Sequence, residues 1–275
     1  MSANPADGRA LETDWLALSR RALVGVRTEL SRYPTSADRG AETGRGEGGD
    51  IALVIDRAAE DVIFAELEAL GLPLTAISEE RGRVELAGGG PVHVVIDPVD
   101  GSLNAKRALP FACVSIAVAS GPSMDEVEFG YVGELEGPGE WWARAGQGAY
   151  LGDSKLDPLE AGPLEVLALE TARPEAIAAA APAIGKLEAK RIRALGSVAA
   201  TLGLVADGRI DAMLSLRPVR SVDAAAGQLI VREAGGAVSF PEAGDGAAPL
   251  SLDMRSRVLA ARDHDLLQRL RAGFS

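Results

Sequence analysis

Residues 92–104, Val-His-Val-Val-Ile-Asp-Pro-Val-Asp-Gly-Ser-Leu-Asn, constrain this chain more than any other stretch. The opening run, 92–96, is short and rich in β-branched residues, which suits a buried strand. Asp97 stands where that strand is expected to end, because Pro98 offers no N–H to a neighbouring strand and stiffens the turn. Asp97 and Asp100 can then face one pocket from a tight loop. Two carboxylates so close repel each other unless a cation lies between them. Hard divalent cations such as Mg²⁺ take oxygen ligands, and the Val99 carbonyl is a third oxygen on offer. Gly101 and Ser102 add backbone N–H groups able to approach an anion, with a hydroxyl beside them. The same Asp-Pro-x-Asp-Gly run also makes a good solvated turn, so local sequence leaves both readings open.

Composition narrows the choice of partner. A chain of 275 residues with 47% hydrophobic content has ample material for a core, in one large domain or two closely packed halves. A net charge of −12 repels nucleic acid and anionic membranes, so neither is expected as a partner. It repels a phosphate substrate too unless metals offset the acids, which favours a metal-bridged site over a clamp of arginines and lysines. Cys113 is the only cysteine, so no disulfide framework is expected and a reducing cytoplasm is compatible; it reads as a small core residue on a strand. With no signal-peptide pattern and no apolar run long enough to cross a bilayer, a soluble, cytoplasmic protein is the expectation.

Apolar residues at helical spacing from Leu11 to Leu30 predict an opening helix, ended by Tyr33-Pro34. Residues 35–49 are glycine-rich and charged without periodicity and read as a mobile loop, either linker or lid. A second helix is expected from Asp50 to Leu70 with Asp56 beside its apolar face, then a strand at 74–77 with Ser78-Glu79-Glu80 at its end. Runs at 111–119, 127–134 and 141–144, with a Gly146-Gln147-Gly148 turn before Tyr150, predict one antiparallel sheet, with Trp141 and Trp142 facing opposite sides of it. The connector 152–163 divides an N-terminal half, 1–155, from a C-terminal half, 156–275. Strands at 164–169, 191–195, 210–216, 237–240 and 257–261 alternate there with helices, which suggests an α/β layer. Ser197 is placed to cap a helix over 198–206, and Asp223 to cap the helix that ends at Gly235-Gly236.

The motif at 97–104 resembles the Asp-Pro-x-Asp-Gly-Thr/Ser-x-Asn signature of the inositol monophosphatase family. The family's other elements follow in order: Ile55-Asp56 on a helix, Ser78-Glu79-Glu80 upstream, Gly196-Ser197-Val198-Ala199-Ala200, then Val222-Asp223-Ala224-Ala225-Ala226-Gly227 with Glu233-Ala234-Gly235-Gly236. The resemblance spans the second helix to about residue 240. It implies an α/β (α+β) fold, the layered αβαβα sugar-phosphatase architecture, and a homodimer. It also implies a Mg²⁺-dependent phosphomonoesterase with two or three ions per site. Glu79, Asp97 and the Val99 carbonyl would hold one ion, and Asp97, Asp100 and Asp223 a second. Gly101 and Ser102 would receive phosphate oxygens. Asp56 would orient Ser102 or help bind a third ion, and Glu79 and Ser102, the latter polarised by Asp56, would position the attacking water and accept its proton. Gly196, Ser197 and Arg217 would touch the substrate, a small phosphorylated metabolite.

Departures bear on which metabolite. Val222 stands where inositol-preferring members have Trp, and Leu216 where they place a glutamate for inositol hydroxyls, with Arg217 and Arg220 nearby. Arginines suit a second phosphate better than a neutral cyclitol. Residues 97–119, with Lys106 and Arg107, resemble the branch that has both inositol monophosphatase and fructose-1,6-bisphosphatase activity. The loop 46–50 does too, although Glu47 stands where that branch often has a lysine. Inositol-1-phosphate and fructose-1,6-bisphosphate are the leading substrates. Adenosine 3′,5′-bisphosphate is a further alternative, and a non-catalytic regulatory binder the alternative of another class.

Overall fold

The apolar runs of the first half pair into an eight-stranded sheet. From one edge it runs Ser154–Lys155, Gly148–Leu151, Glu140–Arg144, Val127–Glu134, Cys113–Ala119, His93–Asp100, Leu74–Ser78 and Gly82–Leu86. This is a computed structural model, and it describes residues 5–49 and 51–274. All neighbours are antiparallel except Leu74–Ser78 and His93–Asp100, which run parallel with Ser78 opposite Ile96. That register puts Glu79 beside Asp97. The edge hairpin strand Gly82–Leu86 carries a weak mixed pattern, and the sequence reading did not foresee it.

Helices Trp15–Leu30 and Val54–Glu68 bury Trp15, Leu18, Ile55, Ile63 and Phe64 against one face of this sheet. Helices Val198–Ala206 and Ser221–Glu233 fill the space between its other face and a second sheet. The second sheet has five strands, Arg191–Arg193, Val166–Glu170, Ala212–Ser215, Leu259–Ala261 and Ala237–Ser239 in spatial order, the first three parallel. Helices Pro174–Lys186 and His264–Phe274 cover its outer face. The layers therefore stack α, β, α, β, α, as the resemblance implied. Close approach between layers depends on small residues. A Cβ at Gly130 would lie 2.6 Å from the Ala226 carbonyl oxygen, so strand Val127–Glu134 lets helix Ser221–Glu233 settle directly on the sheet.

Several expectations need correcting. The first long helix starts at Trp15, not Leu11, because the Asp14 carboxylate accepts the Ala17 N–H at 3.0 Å and caps it. Residues 35–49 are more ordered than a loop. Thr35 and Asp38 close a capping box on the short helix Ser36–Arg39, and strand Glu42–Arg45 pairs with Ile51–Leu53. Ile51, assigned above to the second helix, lies in that strand, and the helix begins at Val54. Asp50, which falls in both the expected helix and the expected glycine loop, lies outside the described residues. The strand at 92–96 runs on through Pro98 to Asp100, with a register shift between Asp97 and Asp100 that accommodates the proline. Trp141 is buried while Trp142 stacks on Tyr150 at the half-buried face, so the two do part as expected.

Candidate active site

The parallel pair of strands delivers Glu79 and Asp97 to one end of the large sheet, and the shift after Asp97 turns Asp100 toward the same place. Two helices supply the other acids, and they do so alike. Asp56 is the third residue of helix Val54–Glu68 and accepts the Leu53 N–H at 2.9 Å. Asp223 is the third residue of helix Ser221–Glu233 and accepts the Arg220 N–H at 2.8 Å. Asp223 is thus not the N-cap expected above. In the third position, one carboxylate oxygen reaches back to the N-cap amide and fixes the side chain. The other oxygen can point into the site.

Asp56, Glu79, Glu80, Asp97, Val99, Asp100, Gly101, Ser102, Arg220 and Asp223 all line one cavity of about 250 Å³. Oxygens of Glu79, Asp97 and Asp223 lie within 4.8 Å of one another. Asp97, only 2% exposed, is held by its own turn, Oδ1 accepting the Val99 N–H at 3.0 Å. Asp100 Oδ2 accepts the Ser197 hydroxyl and the Ala199 N–H, both at 2.6 Å, leaving Oδ1 for another partner. The Ser102 hydroxyl donates to the Val99 carbonyl at 3.0 Å. Gly101 turns the chain at φ +87°, and a Cβ there would lie 3.1 Å from the carbonyl oxygens of Gly196 and Phe111.

Burial dominates the electrostatics. It pushes Asp56 up to about 6, against the Leu53 N–H and the Ser102 hydroxyl, which favour its anion. It pushes Glu79 and Glu80 up to about 7 and Asp100 to about 8, with neighbouring carboxylates adding to each. Asp97 rises well above the ordinary carboxylate range for the same reasons. Arg220, 12% exposed at its side chain, pairs with Glu79 at 2.7 Å and Asp223 at 3.3 Å. One guanidinium is far from balancing so many acids. Asp56 Oδ1 and Glu80 Oε2 are buried without a hydrogen-bond partner among the described residues. Convergent, desolvated, hard oxygen donors with orphaned lone pairs fit divalent cations well.

The cavity thus gathers the expected Asp56, Glu79, Asp97, Val99, Asp100, Gly101, Ser102 and Asp223. Gly196 and Ser197 stand apart from it. Ser197 is 1% exposed, its hydroxyl spent on Asp100 and on capping Ala200, and the Gly196 N–H donates to Glu170 at 2.9 Å. They support Asp100 from behind. Arg217 lies in an adjoining cavity. The sequence reading missed Glu170, which also accepts from Leu195 N–H and the Thr201 hydroxyl and so fixes the loop bearing Ser197. The usable signal was an acid at the carboxyl end of an apolar strand. The hairpin before Asp56 packs across the site, its Gly48 N–H donating to the Glu79 carbonyl at 2.9 Å and Glu47 N–H to the Glu80 carbonyl at 3.2 Å. The Glu47 side chain sits against Gly82, so the missing lysine does not keep this loop from seating.

Fold and site together define a phosphoric monoester hydrolase of the layered sugar-phosphatase kind. The inositol monophosphatase family profile matches residues 16–273, and the chain belongs to that family, which is metal-dependent. It is 32% identical over 266 residues to the fructose-1,6-bisphosphatase/inositol-1-monophosphatase of Methanothermobacter thermautotrophicus, across 93% of this chain and 95% of that one. It is 34% identical over 227 residues to the inositol-1-monophosphatase of Aeropyrum pernix, across 80% and 83%. The crystal structure of an inositol monophosphatase-fructose 1,6 bisphosphatase superposes with a TM-score of 0.81 at 25% identity, covering 95% of this chain and 100% of that one.

Proposed function

We propose that the chain is a Mg²⁺-dependent phosphomonoesterase acting on small sugar or cyclitol phosphates of the inositol-1-phosphate type, with fructose-1,6-bisphosphate as the alternative substrate. The convergence of Glu79, Asp97 and Asp223 from two strands and a helix carries this reading. Glu79, Asp97, the Val99 carbonyl, Asp100 and Asp223 would hold two ions, with Asp56 available to a third. Bound Mg²⁺ would supply charge to the phosphate and the leaving oxygen and lower the pKa of water.

The chain's own groups do the rest. Gly101 and Ser102 N–H groups orient phosphate oxygens. Ser102 Oγ and Glu79 align a water for in-line attack, and Asp56 Oδ1, which has no other partner among the described residues, takes its proton. The water oxygen bonds to phosphorus as the ester P–O bond breaks, and the departing alkoxide is protonated from solvent. No phosphoenzyme is needed. Family resemblance and the lone cysteine support a homodimer working in the cytoplasm.

Phosphate release measured with Mg²⁺ over inositol-1-phosphate, fructose-1,6-bisphosphate and adenosine 3′,5′-bisphosphate tests this. Turnover of one of the first two is expected. No turnover of any by folded protein defeats the enzyme reading and favours a regulatory binder. Asp100→Asn should cut kcat/KM about a thousandfold, as removal of several kcal/mol of charge stabilisation requires. Near-native activity of that variant would overturn the metal assignment.

A further inference from the structure

Glu60 is a buried acid that stands behind the acidic cavity rather than in it. It is 1% exposed and lies on helix Val54–Glu68 one turn beyond Asp56, so both acids leave the same face of that helix. Asp56 lines the cavity and Glu60 does not, so Glu60 cannot touch a metal or a phosphate bound there. A buried carboxylate is costly unless donors surround it, and the donors around this one come from a single short segment.

That segment is the turn that carries Glu79. Ser78, the last residue of strand Leu74–Ser78, donates its hydroxyl to Glu60 Oε1, and the Arg81 N–H donates to the same oxygen at 3.1 Å. Arg81 Nε pairs with Glu60 Oε2 at 3.3 Å, and its guanidinium lies 4.2 Å above the ring of Phe64 on the same helix. Burial raises the Glu60 pKa, while the Ser78 hydroxyl and the Arg81 and Glu80 N–H groups favour its anion. Glu60 thus grips both ends of the turn 78–81, with Glu79 and Glu80 between them. The opposite side of the turn is held by the glycine loop, since the Glu79 and Glu80 carbonyls accept the Gly48 and Glu47 N–H groups. Donors fix the turn to the helix, and acceptors fix it to the loop.

We infer that Glu60 is a positioning residue: it sets where Glu79 stands relative to Asp56 and Asp97, and through the Glu79 and Glu80 carbonyls it seats the loop 46–49 beside the cavity. The inference rests on Glu79 as a metal ligand. Strand pairing fixes Ser78 opposite Ile96 and Gly82, but the residues between Ser78 and Gly82 can pivot unless something off the sheet holds them. Oxygens of Glu79, Asp97 and Asp223 lie within 4.8 Å of one another, so a pivot of about 1 Å is enough to spoil a shared ion.

The test titrates Mg²⁺ calorimetrically into the full chain, as wild type, Glu60→Met, Glu60→Gln, Ser78→Ala and Ile63→Val. Hydrogen exchange in EDTA and phosphate release with Mg²⁺ are read on the same proteins. Glu60→Met keeps the bulk of the side chain and removes its acceptors. Its Mg²⁺ affinity should fall about 10- to 100-fold, as loss of a ligand's support does, and the Glu47 and Gly48 amides should lose protection without any metal present. Ser78→Ala removes one hydroxyl and should act the same way by a smaller factor. Glu60→Gln keeps a carbonyl oxygen for Ser78 and Arg81 and should bind Mg²⁺ nearly as wild type does. Ile63→Val trims a buried side chain of the same helix and should leave both readouts unchanged. Undiminished affinity in Glu60→Met and Ser78→Ala, or an equal loss in Ile63→Val, overturns the positioning role and leaves the phosphatase standing. Mg²⁺ binding and amide protection that depend on Glu60, with no phosphate release from inositol-1-phosphate or fructose-1,6-bisphosphate, defeat the phosphatase and leave the positioning role standing.

Discussion

Without metal, the protein should lose stability as the pH rises from about 5 to about 8. Burial carries Asp56 from its ordinary 3.8 to about 6 and Glu79 from 4.5 to about 7. Over that interval the folded chain keeps protons that the unfolded chain has already released. A raised carboxylate therefore contributes stability that is whole below the ordinary carboxylate range and is lost as the pH climbs through the folded value. Between pH 5 and pH 8 Asp56 accounts for about 1.4 kcal/mol of this loss, the rest of its share falling below pH 5. Glu79, Asp97 and Asp100 act in the same direction, while the Arg220 cation pairs with Glu79 and limits the loss. At roughly 2 °C per kcal/mol for a chain of this size, the melting temperature in EDTA should drop by about 3 °C from Asp56 alone and by more once Glu79 is added.

Mg²⁺ should reverse the trend, because its ligands must be deprotonated and binding releases the protons the acids hold. The stabilisation on adding Mg²⁺ should be small near pH 5 and grow steadily toward pH 8. Thermal or urea unfolding at fixed ionic strength, with EDTA and with Mg²⁺, measures both curves. A melting temperature in EDTA that is flat or rises over this interval would refute the argument, because the acids would then not be buried together. Asp56→Asn should flatten the EDTA curve by its own share.

Two further variants probe how the site is held. Ser197→Ala removes a hydroxyl bonded to Asp100 at 2.6 Å and should weaken Mg²⁺ affinity about 10- to 100-fold, as loss of a ligand's hydrogen-bond partner does, while costing about 1 kcal/mol as a lost helix cap. Metal titration and denaturant unfolding read the two effects separately, and unchanged affinity would show that Asp100 does not need this brace. Gly130→Ala places a Cβ where the Ala226 carbonyl stands and should cost about 1–3 kcal/mol in unfolding experiments. It should also raise the Mg²⁺ concentration needed for activity, since the displaced helix carries Asp223; loss of stability with no shift in Mg²⁺ requirement would separate that helix position from the metal site.

What could be read from the sequence is what local chemistry fixes. Most helices and strands followed from the spacing of apolar residues, whereas the order of the layers and the carboxylate set came from the family resemblance, carried by motifs that keep their order along the chain. The misreadings share a cause, which is that partners outside the local window decided the conformation. Ile51 has the helical spacing that assigned it to the second helix, yet it pairs with Arg45 because Asp56 starts the helix later by accepting the Leu53 N–H. Pro98 stays within a strand because the register shift lets the ladder skip it. Nothing local to Gly196-Ser197 shows that the packing of two distant segments turns the Ser197 hydroxyl onto Asp100.

Glu170 and Asp100 show why such a site needs both halves of the chain. A carboxylate buried for metal binding is costly and free to rotate unless one oxygen is occupied; Asp97 finds that partner within its own strand, whereas Asp100 finds it on a distant segment. The second half supplies the Ser197 hydroxyl and the Ala199 N–H for that purpose, and Glu170 fixes their loop through Leu195, Gly196 and Thr201. Both acids accept, Glu170 at the end of the smaller sheet and Asp100 at the end of the larger one, and residues 195–201 donate to each. Closing the two sheets on the helices between them thus completes the site in the same step that buries the core. Loosening that interface should therefore weaken metal binding before it unfolds the chain.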